Sequence, residues 1–149
     1  LRGSLIWRLI WDMCDDDRPP PSNVEHDKAT MQVIVDALFE KTLAISPDYW
    51  APLVDAQRQV VNAWISYESG NTASALVQLR KAADIEDSMD KNPVTPGAVL
   101  PARELLADML MLHGDYSGAL LAYETSLSIG PSRSNSLAGA ARAKLAISQ

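Results

Sequence analysis

Cysteine is almost missing from this chain: Cys14 stands alone, so no internal disulfide and no Cys-rich zinc site can hold the fold. Basic charge is short as well, with 13 Lys+Arg against 19 Asp+Glu and a formal net charge of -6, which leaves no cationic stripe for a phosphate backbone and excludes a nucleic-acid partner. Long apolar runs do not occur. Leu5-Ile6-Trp7 is broken by Arg8 and the run Leu9 to Trp11 ends at Asp12, far from the ~18 residues of a membrane span, so no membrane partner is expected. The order of a signal peptide is also missing, and the cytoplasm is the favoured compartment. No segment alternates with period two, which argues against strands, and no Gly-rich loop has phosphate-binding spacing. What is present is 149 residues, 47% of them hydrophobic, enough for one domain that buries roughly 68–70% of its unfolded surface. Leu1 in the first position and a last helix without a stop signal are the expected marks of a fragment or processed piece.

Residues 1–27 combine an apolar start, the acidic run Asp15, Asp16, Asp17 and the triplet Pro19, Pro20, Pro21, with Arg18 to Asn23 reading as an extended linker. The remainder, 28–149, reads as helical. From Ala29 to Ile45, Met31, Ile34, Val35, Leu38, Phe39 and Leu43 recur at spacings of three and four. Ser46-Pro47 ends that helix. Asp48 is the expected cap of the next, in which Pro52 is tolerable only within the first turn, where its missing N–H has no intrahelical partner. That helix runs to about Ser69, and Gly70-Asn71 supplies a left-handed stop followed by a cap. A helix from about Thr72 to Asp90 carries Ala75, Leu76, Leu79, Ala82 and Ala83 on one stripe. Pro93, Pro96, Gly97 and Pro101 then make Asn92 to Pro101 a loop that no helix crosses. Helices of about Ala102 to His113 and Tyr116 to Ile129 flank Gly114-Asp115; Gly130-Pro131 stops the second, and a last helix starts near Ser134.

Gly70 and Gly114 are 44 residues apart, and the same offset maps Ala75 onto Ala119, Leu76 onto Leu120, Leu79 onto Tyr123 and Ala82 onto Ser126. This is a period of about 34 plus a surplus the size of the Pro-rich loop, and such periods mean stacked helix pairs, because one pair cannot bury its own apolar face. The unit 100–133 resembles the tetratricopeptide repeat family. Leu106-Ala107 stand at the close helix contact, Gly114-Asp115-Tyr116 at the turn, Ala119 and Tyr123 on the second helix, and Pro131 at the closing position. The unit 56–90 matches through Ala63, Gly70, Ala75 and Ala82 without the closing Pro; 134–147 looks like the first helix of a further unit and 29–47 like the second helix of an earlier one. In wording, Ala82 to Asp87, Thr95-Pro96-Gly97 and Pro101 to Leu106 are similar to the C-terminal part of longer bacterial tetratricopeptide proteins to which no reaction attaches.

The resemblance implies an all-α, right-handed stack of antiparallel helix pairs that serves as a non-catalytic scaffold. Its hollow is lined from the first helices: Gln57, Val60, Trp64 and Tyr67 in one unit, Glu104, Asp108 and Met111 in the next, then Asn135, Ala138 and Arg142. The expected partner is a peptide or protein segment, with Trp64 and Tyr67 as apolar anchors and Glu104, Asp108, Asn135 and Arg142 as polar contacts. The other reading of the two aromatics is that they pack against the N-terminal helix and fill the hollow from within. Some family members clamp a C-terminal carboxylate with Lys, Asn and Arg; here Val60 and Trp64 occupy the Lys and Asn places and Glu104 adds like charge, so that ligand is not expected.

Catalysis finds no support, because His26 and His113 are the only histidines and neither has a nucleophile and an orienting acid in a known arrangement. His113, at a helix C-terminus, suits capping. Cys14 with Asp15 to Asp17 lacks the Gly turn and distal Glu of a calcium loop, and neither metal nor cofactor is expected. Arg103 follows the Pro-rich loop that Glu86, Asp87 and Asp90 precede, so a guanidinium fork pinning the loop is the expected structural device. Trp7 and Trp11, with Leu1, Leu5 and Ile10, form an apolar stripe that either caps the stack or meets a second subunit. Structural homo-oligomerisation is accordingly the alternative function.

Overall fold

The computed structural model describes residues 24–89, 98 and 100–149. Among them there are six helices and no strand: α1 Val24–Ile45, α2 Trp50–Glu68, α3 Thr72–Ser88, α4 Ala102–His113, α5 Tyr116–Ile129 and α6 Ser134–Ile147. The fold is all-α, and no helix among the described residues is long and apolar enough to cross a membrane. The Trp7/Trp11 stripe, Cys14 with its acidic run, the proline triplet, Asp90 and most of the loop before Pro101 lie outside the described residues.

Helix ends follow from local chemistry. Gly70 and Gly114 have φ of +83° and +84°, the left-handed region that glycine enters without a Cβ clash. Each is followed by an acceptor at the next N-terminus: Ser74 N–H donates to Asn71 Oδ1 at 3.3 Å and Gly118 N–H to Asp115 Oδ1 at 2.9 Å. Asp48 does not cap α2 as the sequence led us to expect. Residues 47–49 form a turn that brings Ser46 to the helix start instead, where its Oγ accepts from Trp50 N–H at 3.4 Å and its carbonyl from Ala51 N–H at 3.0 Å. Pro52 falls in the first turn of α2.

Every helix packs on the next in the chain, including α3 on α4 across the long connection, and α2 also touches α4 as α4 touches α6. The odd contacts place α2, α4 and α6 in one row. Small side chains occupy the seams: Ala63, Ala75, Ala107 and Ala119 are wholly buried, and with Leu79, Met109 and Tyr123 they belong to one continuous core. At the α5–α6 seam the Tyr123 ring lies so close to Gly139 that a β-carbon there would overlap it. α1 is the exception to this dense packing. It meets α2 through Asp36, 3.5 Å from Arg58, and through Phe39, whose ring lies 4.3 Å from the same guanidinium, while Val33, Ile34, Leu38, Leu43 and Ile45 remain exposed.

Candidate functional site

The row formed by α2, α4 and α6 carries all ten residues with which the sequence lines the hollow, and the structure separates them by depth, Val60 being buried and Ala138 exposed. Gln57, Asn135 and Arg142 are exposed, and Tyr67, Asp108 and Met111 are half-buried. Trp64 and Glu104 are interior, at 3% and 1% exposure. Trp64 stands in the core with its ring edge-on to Tyr67 at 5.9 Å, and Met31 of α1 packs against the same cluster, so of the two readings of this aromatic the structure has the one in which it fills space from within. Its indole N–H is buried and has no hydrogen-bond partner among the described residues, an omission that costs about 1–3 kcal/mol of desolvation.

Glu104 owes its position to the first turn of α4, where a carboxylate suits the positive end of the helix. Its carboxylate gathers donors from beyond α5. Arg133 Nε donates to Oε2 at 3.2 Å, Asn135 Nδ2 to Oε1 at 3.0 Å, and the Ser136 hydroxyl to Oε2. Ser136 has one proton and gives it to the carboxylate, so Ser126 on α5, its oxygen 3.1 Å away, is the donor of the next link. Arg133 also reaches the carbonyl of Ala98 at 3.3 Å, which ties the end of the Pro-rich loop to the same centre. Burial alone would push the Glu104 carboxyl up, but the bonds from Ser136, Asn135 and Arg133, with the Arg133 charge, outweigh it and hold the group below the ordinary carboxylate range. The buried Ser136–Glu104 pair, continued by Ser126, forms a bracket between α4, α5 and α6.

Asp108, one turn further along α4, behaves in the opposite sense. It accepts the hydroxyl proton of the buried Tyr123, yet burial first and the nearby Glu104 charge second raise its carboxyl, against the lowering effects of Tyr123, Arg142 and Asn135. Burial and the Asp108 contact likewise raise the Tyr123 phenol. A carboxyl raised in the folded state favours folding below its unfolded value, near about 4, and that contribution is lost as pH rises through the folded value. Asp108→Asn, which keeps an oxygen for Tyr123, is therefore expected to raise the thermal midpoint at neutral pH and to lose that advantage in acid, as melting curves across pH would register.

Arg103 pins the connection between α3 and α4 with partners that differ in part from those the sequence suggested. Its Nε donates to Asp87 Oδ2 at 2.8 Å and its Nη2 to Asp84 Oδ1 at 2.6 Å, while Glu86 accepts the backbone N–H of Ala102 at the start of α4. Asp84 lies one turn before Asp87 on α3, which is why it joins the fork. Glu86 instead satisfies an orphan donor of the next helix.

Sequence reasoning missed Arg133 and Ser136 as partners of Glu104, and Ser126 as the partner of Ser136 behind them. The available signal was Ser126 standing where the preceding unit has Ala82, a polar atom in a position that the repeat makes wholly interior. Compared with protein-family models, curated proteins and solved structures, the chain finds no match in any of the three.

Proposed function

We propose that this chain is a tetratricopeptide-type repeat module whose α2, α4 and α6 row holds an extended protein or peptide segment. The observation that carries the reading is the line Asp108, Asn135, Arg142 on neighbouring helices, fixed from beneath by Tyr123 and Glu104. Peptide backbone presents one N–H and one C=O per residue. A carboxylate, an amide and a guanidinium held in one line can pair with both kinds of group without first being ordered, which lowers the entropic cost of binding. Tyr67 and Met111, half-buried on the same row, add apolar contact for a side chain of the bound segment. The contacts of α2 with α4 and of α4 with α6 support the stacked-pair geometry, in which first helices neighbour one another.

Display of random peptides against the immobilised chain tests this. A convergent motif is expected, and its binding should fall about tenfold, equivalent to about 1.4 kcal/mol, in an Asn135→Ala/Arg142→Ala chain assayed at a temperature where circular dichroism shows it fully folded. Enrichment without a common motif, or undiminished binding by the double variant, overturns the reading.

A further inference from the structure

Asp108 stands on the middle helix of the row, with α2 on one side and α6 on the other. It is half-buried, and its Oδ1 takes the hydroxyl proton of Tyr123 from α5. Holding that proton requires an oxygen but no charge, because an amide oxygen accepts from a phenol as well. The negative charge of Asp108 is therefore surplus to the tie between α4 and α5. Glu104, one turn earlier, shows how a carboxylate kept for structure is held in this chain: Arg133 lies 3.2 Å from it, and Asn135 and Ser136 donate to it as well. Among the described residues no ion pair meets Asp108, and the Glu104 charge acts on it more strongly than the opposing Arg142 charge. A half-buried carboxylate in that setting gains from any cation brought to it.

The surface beside Asp108 suits a cationic side chain of one shape. Met111, one turn on along the same side of α4, is half-buried, and Tyr67 holds the matching register position on α2 and is half-buried too. An aliphatic stem laid along these two brings its charged end to Asp108, in the way lysine buries its methylenes and leaves its ammonium to a polar partner. Arginine fits less well. Its fork binds both oxygens of a carboxylate at once, and Oδ1 is already engaged by Tyr123, whereas an ammonium needs only one oxygen. The charge of the whole chain acts in the same direction, since a formal net charge of -6 attracts a basic segment and repels an acidic one.

We propose that the segment held by the α2, α4 and α6 row carries a lysine whose ammonium docks on Asp108 and whose stem lies along Met111 and Tyr67. Asn135 and Arg142 then serve its backbone, the amide alone offering both a donor and an acceptor. This assignment rests on the proposed function and narrows it to basic segments.

Random-peptide display against the parent and an Asp108→Asn chain in parallel tests it, each chain assayed where circular dichroism shows it fully folded. Asn keeps an acceptor for Tyr123, so the tie to α5 is retained. The parent selection should fix lysine at one position of its motif, and the Asn selection should keep the other positions and lose the lysine. For a synthetic peptide of the parent motif, replacing that lysine by methionine should weaken binding to the parent about tenfold or more and to the Asp108→Asn chain less than about twofold. A motif without lysine, a motif that takes arginine equally, or an equal loss in both chains overturns the lysine assignment while leaving the row a peptide site. Failure of the parent selection to converge on any motif overturns the reading of the row and the lysine with it.

Discussion

Glu104→Ala is expected to destabilise the chain by about 2–4 kcal/mol, because it removes the single acceptor on which three side chains converge. The Ser136 hydroxyl, fully buried, loses the partner of its proton, Asn135 loses the bond that orients it, and Arg133 loses its carboxylate. Arg133 retains 29% side-chain exposure and the Ala98 carbonyl, so its charge stays solvated and the expected loss stays below the upper range for a broken buried pair. Glu104→Gln separates charge from shape, since the amide still accepts from Ser136 while its NH2 faces donors. The pH dependence has a definite sign: a carboxyl held low in the folded state contributes stability that is present above its unfolded value and disappears as pH falls through the folded one. The difference between parent and Gln variant in urea unfolding should therefore be largest at neutral pH and shrink on acidification. A difference under about 1 kcal/mol for Glu104→Ala at neutral pH would mean that the bracket is an incidental surface cluster.

The contrast between Glu104 and the helix boundaries shows what sequence can carry. Gly70, Gly114 and the residues after them end one helix and begin the next through backbone geometry confined to a few positions, so the turns were legible from spacing. The seam alanines were legible for the same reason, because a period of small residues states where two helices touch. Glu104 sits in register with groove residues and looks like one; its burial depends on Arg133, Asn135 and Ser136, about thirty residues onward, and on how closely α6 approaches α4. Trp64 is similar. Its row was readable, but its depth is a property of the core it joins, with Tyr67 edge-on to it and Met31 of α1 packed on the same cluster, which no local spacing encodes. At α2 the expected cap Asp48 gave way to Ser46 because a turn at 47–49 changes which oxygen reaches the helix start, and propensity alone does not distinguish the two.

Gly139→Leu is expected to cost about 3 kcal/mol, and the reason lies in the neighbour rather than in the backbone. Gly139 is in the interior of α6, where any other residue except proline gains up to about 1 kcal/mol in helix propensity. Working against that gain, the first added carbon meets the Tyr123 ring, the largest fully buried side chain of the core. The ring cannot swing away freely, because its hydroxyl is bound to Asp108 on α4 and its movement gives up a charge-assisted bond worth about 1.5–3 kcal/mol. Overpacking at such a point costs about 1–3 kcal/mol before that bond is counted. Gly139→Ala should show the same conflict at smaller scale, its propensity gain cancelling part of the overlap. In a Tyr123→Leu background, where the ring is absent, Gly139→Ala should turn stabilising, and the coupling between the two sites in chemical denaturation should exceed about 1 kcal/mol. Independent, additive effects would show that α5 and α6 do not meet at this point, and with that contact would go the seam on which the position of Asp108, and hence the candidate binding row, depends.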